Sequence, residues 1–322
     1  MQLRQALNSA VERLTTERVP SPRMNAELLI MFTLDCDRAY LYAHPERELT
    51  ADEMRRYDDA LARRATGVPA QYITGHQEFW GLDLIVSPAV LVPRPETEHV
   101  VEAVLELVRA AERGRDAPAT AGETPALQRP GVSTRFGGNR LTIVDVGTGS
   151  GAIAIALAKE LPSAEIHATD ISAEALEVAR ANAARHELAS RIRFRHTDLL
   201  RGLHPSASNA RVPGHDTLPQ AAFDIVVSNP PYVGESEEDQ VQLEVRKFEP
   251  RSAVFAGPTG LEVIERLIPQ AHAALGPGGW LVFEISGTIA DEVRRLLSGW
   301  SEVAISNDLA GIARVARARK PA

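Results

Sequence analysis

The chain has 322 residues, 44% hydrophobic and 24% charged, which fits a soluble globular protein of two domains better than one small domain. Its formal net charge of -8 argues against a protein that lives on phosphate backbones, where Lys and Arg must cluster. A lone cysteine, Cys36, rules out an internal disulfide, residues 1–14 lack a signal-peptide core and no apolar run could span a bilayer, so a cytoplasmic protein off the membrane is expected.

In chain order, Leu3, Ala6, Leu7, Ala10, Val11 and Leu14 fall on one helical face. Residues 26–34 predict a second helix, with Pro22 near its start. Thr50-Ala51-Asp52-Glu53 reads as a capping box, and the helix it opens should run to about Ala65 and bury Met54, Tyr57 and Leu61. Residues 1–68 are therefore expected to form a small helical domain with no catalytic group of its own. Phe79, Trp80, Leu82, Leu84 and Val86 around Gly81 predict a β-hairpin inside a connecting segment, 69–95. Pro93-Arg94-Pro95-Glu96-Thr97-Glu98 then leads into a helix carrying Val100, Val101, Val104, Leu105 and Val108, whose first turn suits proline and glutamate. The remaining domain, 96–322, holds two stretches near 113–140 and 204–220 that are rich in proline and glycine or lack an apolar period, and these are expected as surface insertions.

From Leu141 onward strands and helices alternate. Strands are expected at 141–146, 165–169, 191–196, 223–228, 280–285, 302–306 and 313–316, with helices at 152–160, 173–186 and 261–274 among them. That alternation predicts an α/β fold, a doubly wound, mostly parallel sheet of seven strands ending in a hairpin, the Rossmann-like arrangement of methyltransferases. Ligands of such sheets sit at the carboxyl ends of the strands. The nine histidines are scattered with no i, i+4 pair, so no metal is expected.

Every notable motif falls at those strand ends. In Gly147-Thr148-Gly149-Ser150-Gly151-Ala152 the glycines let the backbone turn sharply and approach a ligand. Asp170 ends the next expected strand and can accept hydrogen bonds from ribose hydroxyls; an alternative is that it caps the helix near Ser172. Asp198 follows the third strand, where it could accept from an adenine amino group. This much suits NAD and S-adenosylmethionine equally. Ser228-Asn229-Pro230-Pro231-Tyr232 separates them. The oxygen of Asn229 and the carbonyl of Pro230 can each accept one N–H of a planar NH2 group, which orients its nitrogen toward a methyl and favours the charge it gains. Tyr232 offers a flat face, and the prolines stiffen the loop without adding a competing N–H. A nicotinamide oxidoreductase would leave this motif without a task. Exocyclic amines of adenine or cytosine would fit the same pocket, but the acidic charge and the lack of a basic recognition region count against a nucleic-acid partner.

On these residues the chain resembles the HemK family of protein-(glutamine-N5) methyltransferases, which modify peptide chain release factors. The likeness spans nearly the whole chain: Pro69-Ala70-Gln71-Tyr72-Ile73-Thr74-Gly75, Glu78-Phe79-Trp80, the segment from Val92 to Glu98, the glycine loop, Asp170, the Asn-Pro-Pro-Tyr loop, Phe248-Glu249-Pro250-Arg251 and Gly257-x-x-Gly260-Leu261. The glycine loop and Asn-Pro-Pro-Tyr occur in many amino-methyltransferases. Pro-Arg-Pro-Glu-Thr-Glu is more specific, and it favours release factors over the alternative target, a ribosomal-protein glutamine. The resemblance implies S-adenosylmethionine bound by Gly147, Thr148, Gly149, Ser150, Gly151, Asp170, Asp198, Leu199 and Asn229. It implies a target glutamine held by Asn229, Pro230, Pro231 and Tyr232, with Asn229, Pro230 and Tyr232 serving catalysis, and a class 1 release factor gripped by the helical domain. Leu199 departs from the aromatic residue common there, Ile285-Ser286-Gly287 departs from the usual pattern after Glu284, and both insertions are longer than usual.

Overall fold

The computed structural model describes residues 1–113, 140–203 and 223–321. Helices α1 (Leu3–Thr16), α2 (Pro22–Leu34), α3 (Arg38–Ala43) and α4 (Ala51–Ala65) build one apolar core. The expected stripe of α1 is buried at Leu3, Ala6, Leu7, Ala10 and Leu14, while Val11 is half-buried. Thr50 and Glu53 form the expected reciprocal cap, with each side chain accepting from the other's backbone N–H at 3.2 and 2.9 Å. Tyr57 and Leu61 are buried as expected, Met54 only partly; the Tyr57 hydroxyl donates to the Ala26 carbonyl at 3.0 Å and ties α4 to α2.

A short helix, α5 (Ala70–Thr74), carries no sequence signal beyond Pro69 before it and Gly75 after it, and it packs Ile73 into the helical core. The hairpin follows as β1 (His76–Phe79) and β2 (Leu82–Ile85). Its two-residue turn puts Trp80 at φ 55° and Gly81 at φ 65°, the geometry that suits the twist of paired strands. Trp80 is held in that conformation by its N–H on Glu98 (2.7 Å) and its indole N–H on Glu160 (3.0 Å). Pro95–Thr97 forms a single 3-10 turn, so the next helix, α6 (Glu98–Arg113), starts three residues later than the proline suggests.

The second region is β3 (Thr142–Val146), α7 (Ala152–Glu160), β4 (Glu165–Asp170), α8 (Ala173–Arg185), β5 (Ile192–His196), β6 (Phe223–Ser228), β7 (Val233–Gly234), α9 (Leu243–Phe248), α10 (Arg251–Val254), β8 (Phe255–Gly257), α11 (Glu262–Ala274), β9 (Leu275–Glu284), α12 (Ala290–Leu296), β10 (Ser301–Asn307) and β11 (Ala313–Arg319). Seven of these strands form one sheet in the order β10-β11-β9-β6-β3-β4-β5, parallel from β9 to β5 and closed by the antiparallel hairpin β10–β11. This is the expected doubly wound, Rossmann-like α/β sheet. Ile143, Ile225 and Val282 face α6 and α7, whereas Val144, Val226 and Leu281 face α11 and α12, so successive residues serve opposite cores. Burial on both faces explains the near-continuous apolar runs of β3 and β6.

β9 and β11 run several residues beyond their sequence signals. β9 begins at Leu275, which pairs with Phe223 before a register shift across the Gly276-Pro277-Gly278-Gly279 run. β11 continues to Arg319, because Arg319 bonds Glu302 at 2.6 Å and lies 5.9 Å from the Trp280 ring. The small β7–β8 pair, α9 and α10 were not legible. The stretches near 113–140 and 204–220 fall almost wholly outside the described residues. No described helix is long and apolar enough to cross a membrane.

Candidate active site

The order of the sheet places β3 between β4 on one side and β6 on the other, so the crevice at the carboxyl ends of these three strands is a topological switch point. The glycine loop lines it. The N–H groups of Gly147 and Thr148 both donate to the Thr169 carbonyl at 2.9 Å, folding the loop over β4. Gly147 (φ 71°) and Gly149 (φ 54°) have open space where a Cβ would stand. Gly151 differs: a Cβ there would lie 3.0 Å from Ile155 and 3.2 Å from Ala179, so this glycine lets α7 and α8 close on each other and does not line the cavity.

Beneath the loop lies Asp145, fully buried, whose Oδ2 accepts from the Thr148 hydroxyl at 2.6 Å and the Ala154 N–H at 3.1 Å. Burial pushes its carboxyl up to about 7, against the pull of those two hydrogen bonds. Asn182 of α8, also fully buried, accepts from Ile85 N–H at 2.6 Å and donates to the Ile85 and Ser150 carbonyls at 2.9 Å each. It fastens the β1–β2 hairpin to the glycine loop. The sequence alone gives neither residue away, since a polar residue in a strand or helix looks the same whether it supports a site or faces solvent.

Asp170 ends β4 and lines a cavity of about 350 Å³, a size suited to a nucleoside-like ligand. Its Oδ2 accepts from Gly149 N–H at 2.8 Å and its Oδ1 from Ser172 N–H at 2.9 Å, so it braces the loop and the start of α8 at once. Each oxygen keeps a second lone pair for a ligand hydroxyl. Burial raises this carboxyl above its ordinary range, opposed by the backbone hydrogen bonds. Asp198 and Leu199 line the same cavity. Asp198 is ion-paired with Arg266 of α11, an unforeseen wall residue, so only part of its carboxylate is left for a ligand amine. Leu199 is non-glycine at φ 53° and packs on the second core, an apolar wall in place of an aromatic one. Thr148, Gly149, Ser150 and Ile171 complete a surface of backbone, apolar side chains and carboxylates that fits a ribonucleoside carrying a cationic tail.

The Asn-Pro-Pro-Tyr loop leaves β6 on the other side of this crevice. Asn229 and Pro231 line both the large cavity and a smaller one of about 140 Å³ that also meets Tyr232, Arg94 and Val245. Pro230 is buried and lines neither. The Asn229 amide donates through Nδ2 to the Thr97 hydroxyl at 2.9 Å. Thr97 in turn donates to Glu284 Oε2 at 2.6 Å, and the Tyr232 hydroxyl donates to Glu284 Oε1 at 2.9 Å. Glu284 ends β9 and is 1% exposed; burial raises its carboxyl, while the two hydroxyls and the charge of Arg314 oppose that rise. Burial and the neighbouring Glu284 charge push the Tyr232 phenol up, so it stays protonated. Arg94 pairs with Glu249, which also accepts from Val92 N–H at 3.1 Å. Thus three segments that looked separate in sequence, 92–98, 229–232 and 284, converge.

Residues 5–75 match the family model for the PrmC N-terminal domain, and residues 133–247 match that for the methyltransferase small domain. The chain is 50% identical to the release factor glutamine methyltransferase of Koribacter versatilis (strain Ellin345), covering 100% of this chain and 99% of that one. It is 40% identical to the release factor glutamine methyltransferase of Chlorobaculum tepidum, over 94% of this chain and 92% of that one. Among solved structures, a methyltransferase from Pyrococcus furiosus aligns with a TM-score of 0.46 and 18% identity, over 82% of this chain and 100% of that one.

Proposed function

Because the chain belongs to the family of release factor glutamine methyltransferases, we propose that it methylates the side-chain nitrogen (N5) of the glutamine in the Gly-Gly-Gln motif of class 1 peptide chain release factors, using S-adenosylmethionine. One observation carries the reading at atomic level. The two cavities share the wall formed by Asn229 and Pro231, so a nucleoside cofactor in the larger and an amide in the smaller meet at that loop.

Bound S-adenosylmethionine supplies an electrophilic methyl group on a sulfonium. The chain's own residues do the rest. Gly147, Thr148, Gly149 and Ser150 would shape the cofactor's floor, with Gly151 letting α7 and α8 close behind them; Asp170 would accept from its ribose hydroxyls, and Asp198 and Leu199 would flank its base. Asn229 Oδ1 would accept one N–H of the glutamine amide, and the Pro230 carbonyl, which lines neither cavity here, is the acceptor that the family resemblance assigns to the other, with Pro231 and the Tyr232 ring as walls. Holding the nitrogen by both hydrogens aims its lone pair and favours positive charge on it in the transition state. Its extra proton then leaves to water. Residues 1–68 serve as the release-factor grip, 69–95 as the connector and 96–322 as the catalytic domain, in a cytoplasmic enzyme that does not contact nucleic acid directly.

Incubation with labelled S-adenosylmethionine and a purified class 1 release factor, followed by peptide mapping, should place the label on the Gly-Gly-Gln glutamine. Label on RNA, DNA or a ribosomal protein, with none on the factor, would overturn the assignment.

A further inference from the structure

We infer that Thr97 and Glu284 are positioning residues that lock the Asn229 amide with its oxygen toward the substrate, and that this lock is what makes the site select a glutamine amide over a glutamate carboxylate. The selectivity half rests on the proposed function; the lock itself does not. A threonine hydroxyl has a single hydrogen to give. Thr97 gives it to Glu284 at 2.6 Å, so toward Asn229 it offers only a lone pair, which the NH2 end alone can meet, at 2.9 Å. The flipped amide would set oxygen against oxygen. Asn229 Oδ1 has no partner among the described residues and is left as an acceptor at the wall between the two cavities.

The same carboxylate disarms the neighbouring donor. Tyr232 spends its hydrogen on the other oxygen of Glu284 at 2.9 Å. Arg94, the cation on the wall of the smaller cavity, is paired with Glu249 through one of its N–H groups, which holds it against that carboxylate and away from Asn229 in the hydrogen-bond network. Around Asn229, then, the hydroxyls of Thr97 and Tyr232 have no hydrogen left for a ligand, and the Asn229 oxygen stands as an acceptor. A primary amide brings N–H groups that satisfy the Asn229 oxygen; a carboxylate brings none and sets oxygen against oxygen there. This gives the Pro-Arg-Pro-Glu-Thr-Glu segment a task at the reacting group, although Thr97 lies 132 residues before Asn229.

The test compares the full-length wild type with Thr97→Val, which keeps the shape and removes the hydroxyl, and Thr97→Ser, which restores it. Thr97→Val should lower kcat roughly tenfold to a hundredfold with the KM for S-adenosylmethionine unchanged. It should also bind a Gly-Gly-Glu form of the release factor more tightly, cutting the amide-over-carboxylate preference about tenfold. Thr97→Ser should recover most of both. In parallel, NMR of protein labelled in asparagine side chains should find one Asn229 Nδ2 proton protected from exchange in the wild type and in Thr97→Ser, and unprotected in Thr97→Val. Wild-type kcat and selectivity in Thr97→Val, or no protected Asn229 proton in the wild type, would overturn the inference. If the wild type fails to methylate a release factor, the proposed function falls, and the NMR signal still decides whether the lock exists.

Discussion

Two loops at neighbouring strand ends, 147–151 after β3 and 229–232 after β6, reach their working shapes by different physics. The first is local. Its turn comes from glycines at positive φ, its anchors are Thr169 and Asp170 on the adjacent strand, and its floor is Asp145 only a few residues earlier. The second is built from afar: the groups that orient Asn229 and Tyr232 are Thr97 and Glu284, 132 and 52 residues away. A loop set by backbone conformation tolerates many side chains but not a misplaced Cβ. A loop set by donor and acceptor directions tolerates shape but not a change of chemical group.

The largest expected effect falls on the second loop. Asn229→Ala should lower single-turnover methyl transfer about 100- to 1000-fold, as loss of one oriented group at a reacting centre does, while equilibrium binding of S-adenosylmethionine changes little. Turnover within a few-fold of wild type would mean that the loop's long-range wiring has no catalytic purpose.

The first loop should fail in binding instead. Asp170→Ala removes the proposed ribose acceptor and also releases the N–H groups of Gly149 and Ser172. S-adenosylmethionine affinity should drop roughly tenfold to a hundredfold, with kcat at saturation kept within a few-fold. A normal affinity alongside a collapsed kcat would reverse the division of labour between the loops.

Within the glycine loop the comparison can be sharpened further. Gly149→Ala meets open space and costs only its backbone strain, about 1–2 kcal/mol. Gly151→Ala carries the same strain and also presses on Ile155 and Ala179, adding about 1–3 kcal/mol. Denaturant unfolding should separate the two. Equal losses would show that α7 and α8 yield easily and that Gly151 is not a packing residue.

That contrast also explains what the sequence discloses. The sheet was readable because each strand and helix carries its own period, and the glycine loop because its conformational demand is met by residues inside it. The cap at Thr50 and Glu53 was readable for the same reason. Glu284 was not, since a carboxylate ending an apolar strand gives no sign of which hydroxyls it will meet. Nor does the sequence disclose that Asp198 pairs with Arg266, 68 residues on. Tertiary convergence, not local pattern, supplies those groups. α5, α9 and α10 escaped because four to six residues are too few to display a helical period.

The smallest effect tests whether the two loops are independent. Asp145 is buried under the first loop with a carboxyl pushed up to about 7, whereas in the unfolded chain it titrates near 4. Between those values the folded protein holds a proton that the unfolded chain has released, so this group makes stability fall as pH rises. Groups held below their ordinary range, such as Glu53 and Asp308, act with the opposite sign and at lower pH. His167, whose burial lowers it, adds a rising contribution just below its ordinary value. The difference between wild type and Asp145→Asn isolates the aspartate from both. From pH 5 to 7 the wild type should lose about 1–2 kcal/mol relative to Asp145→Asn in urea unfolding. Parallel profiles would mean the carboxyl is ionised throughout. If S-adenosylmethionine affinity follows the same titration while the methyl-transfer rate at saturation does not, the local loop and the long-range loop answer separately. A matching titration in the transfer step would join Asp145 to the Asn229 network across β3 and β6.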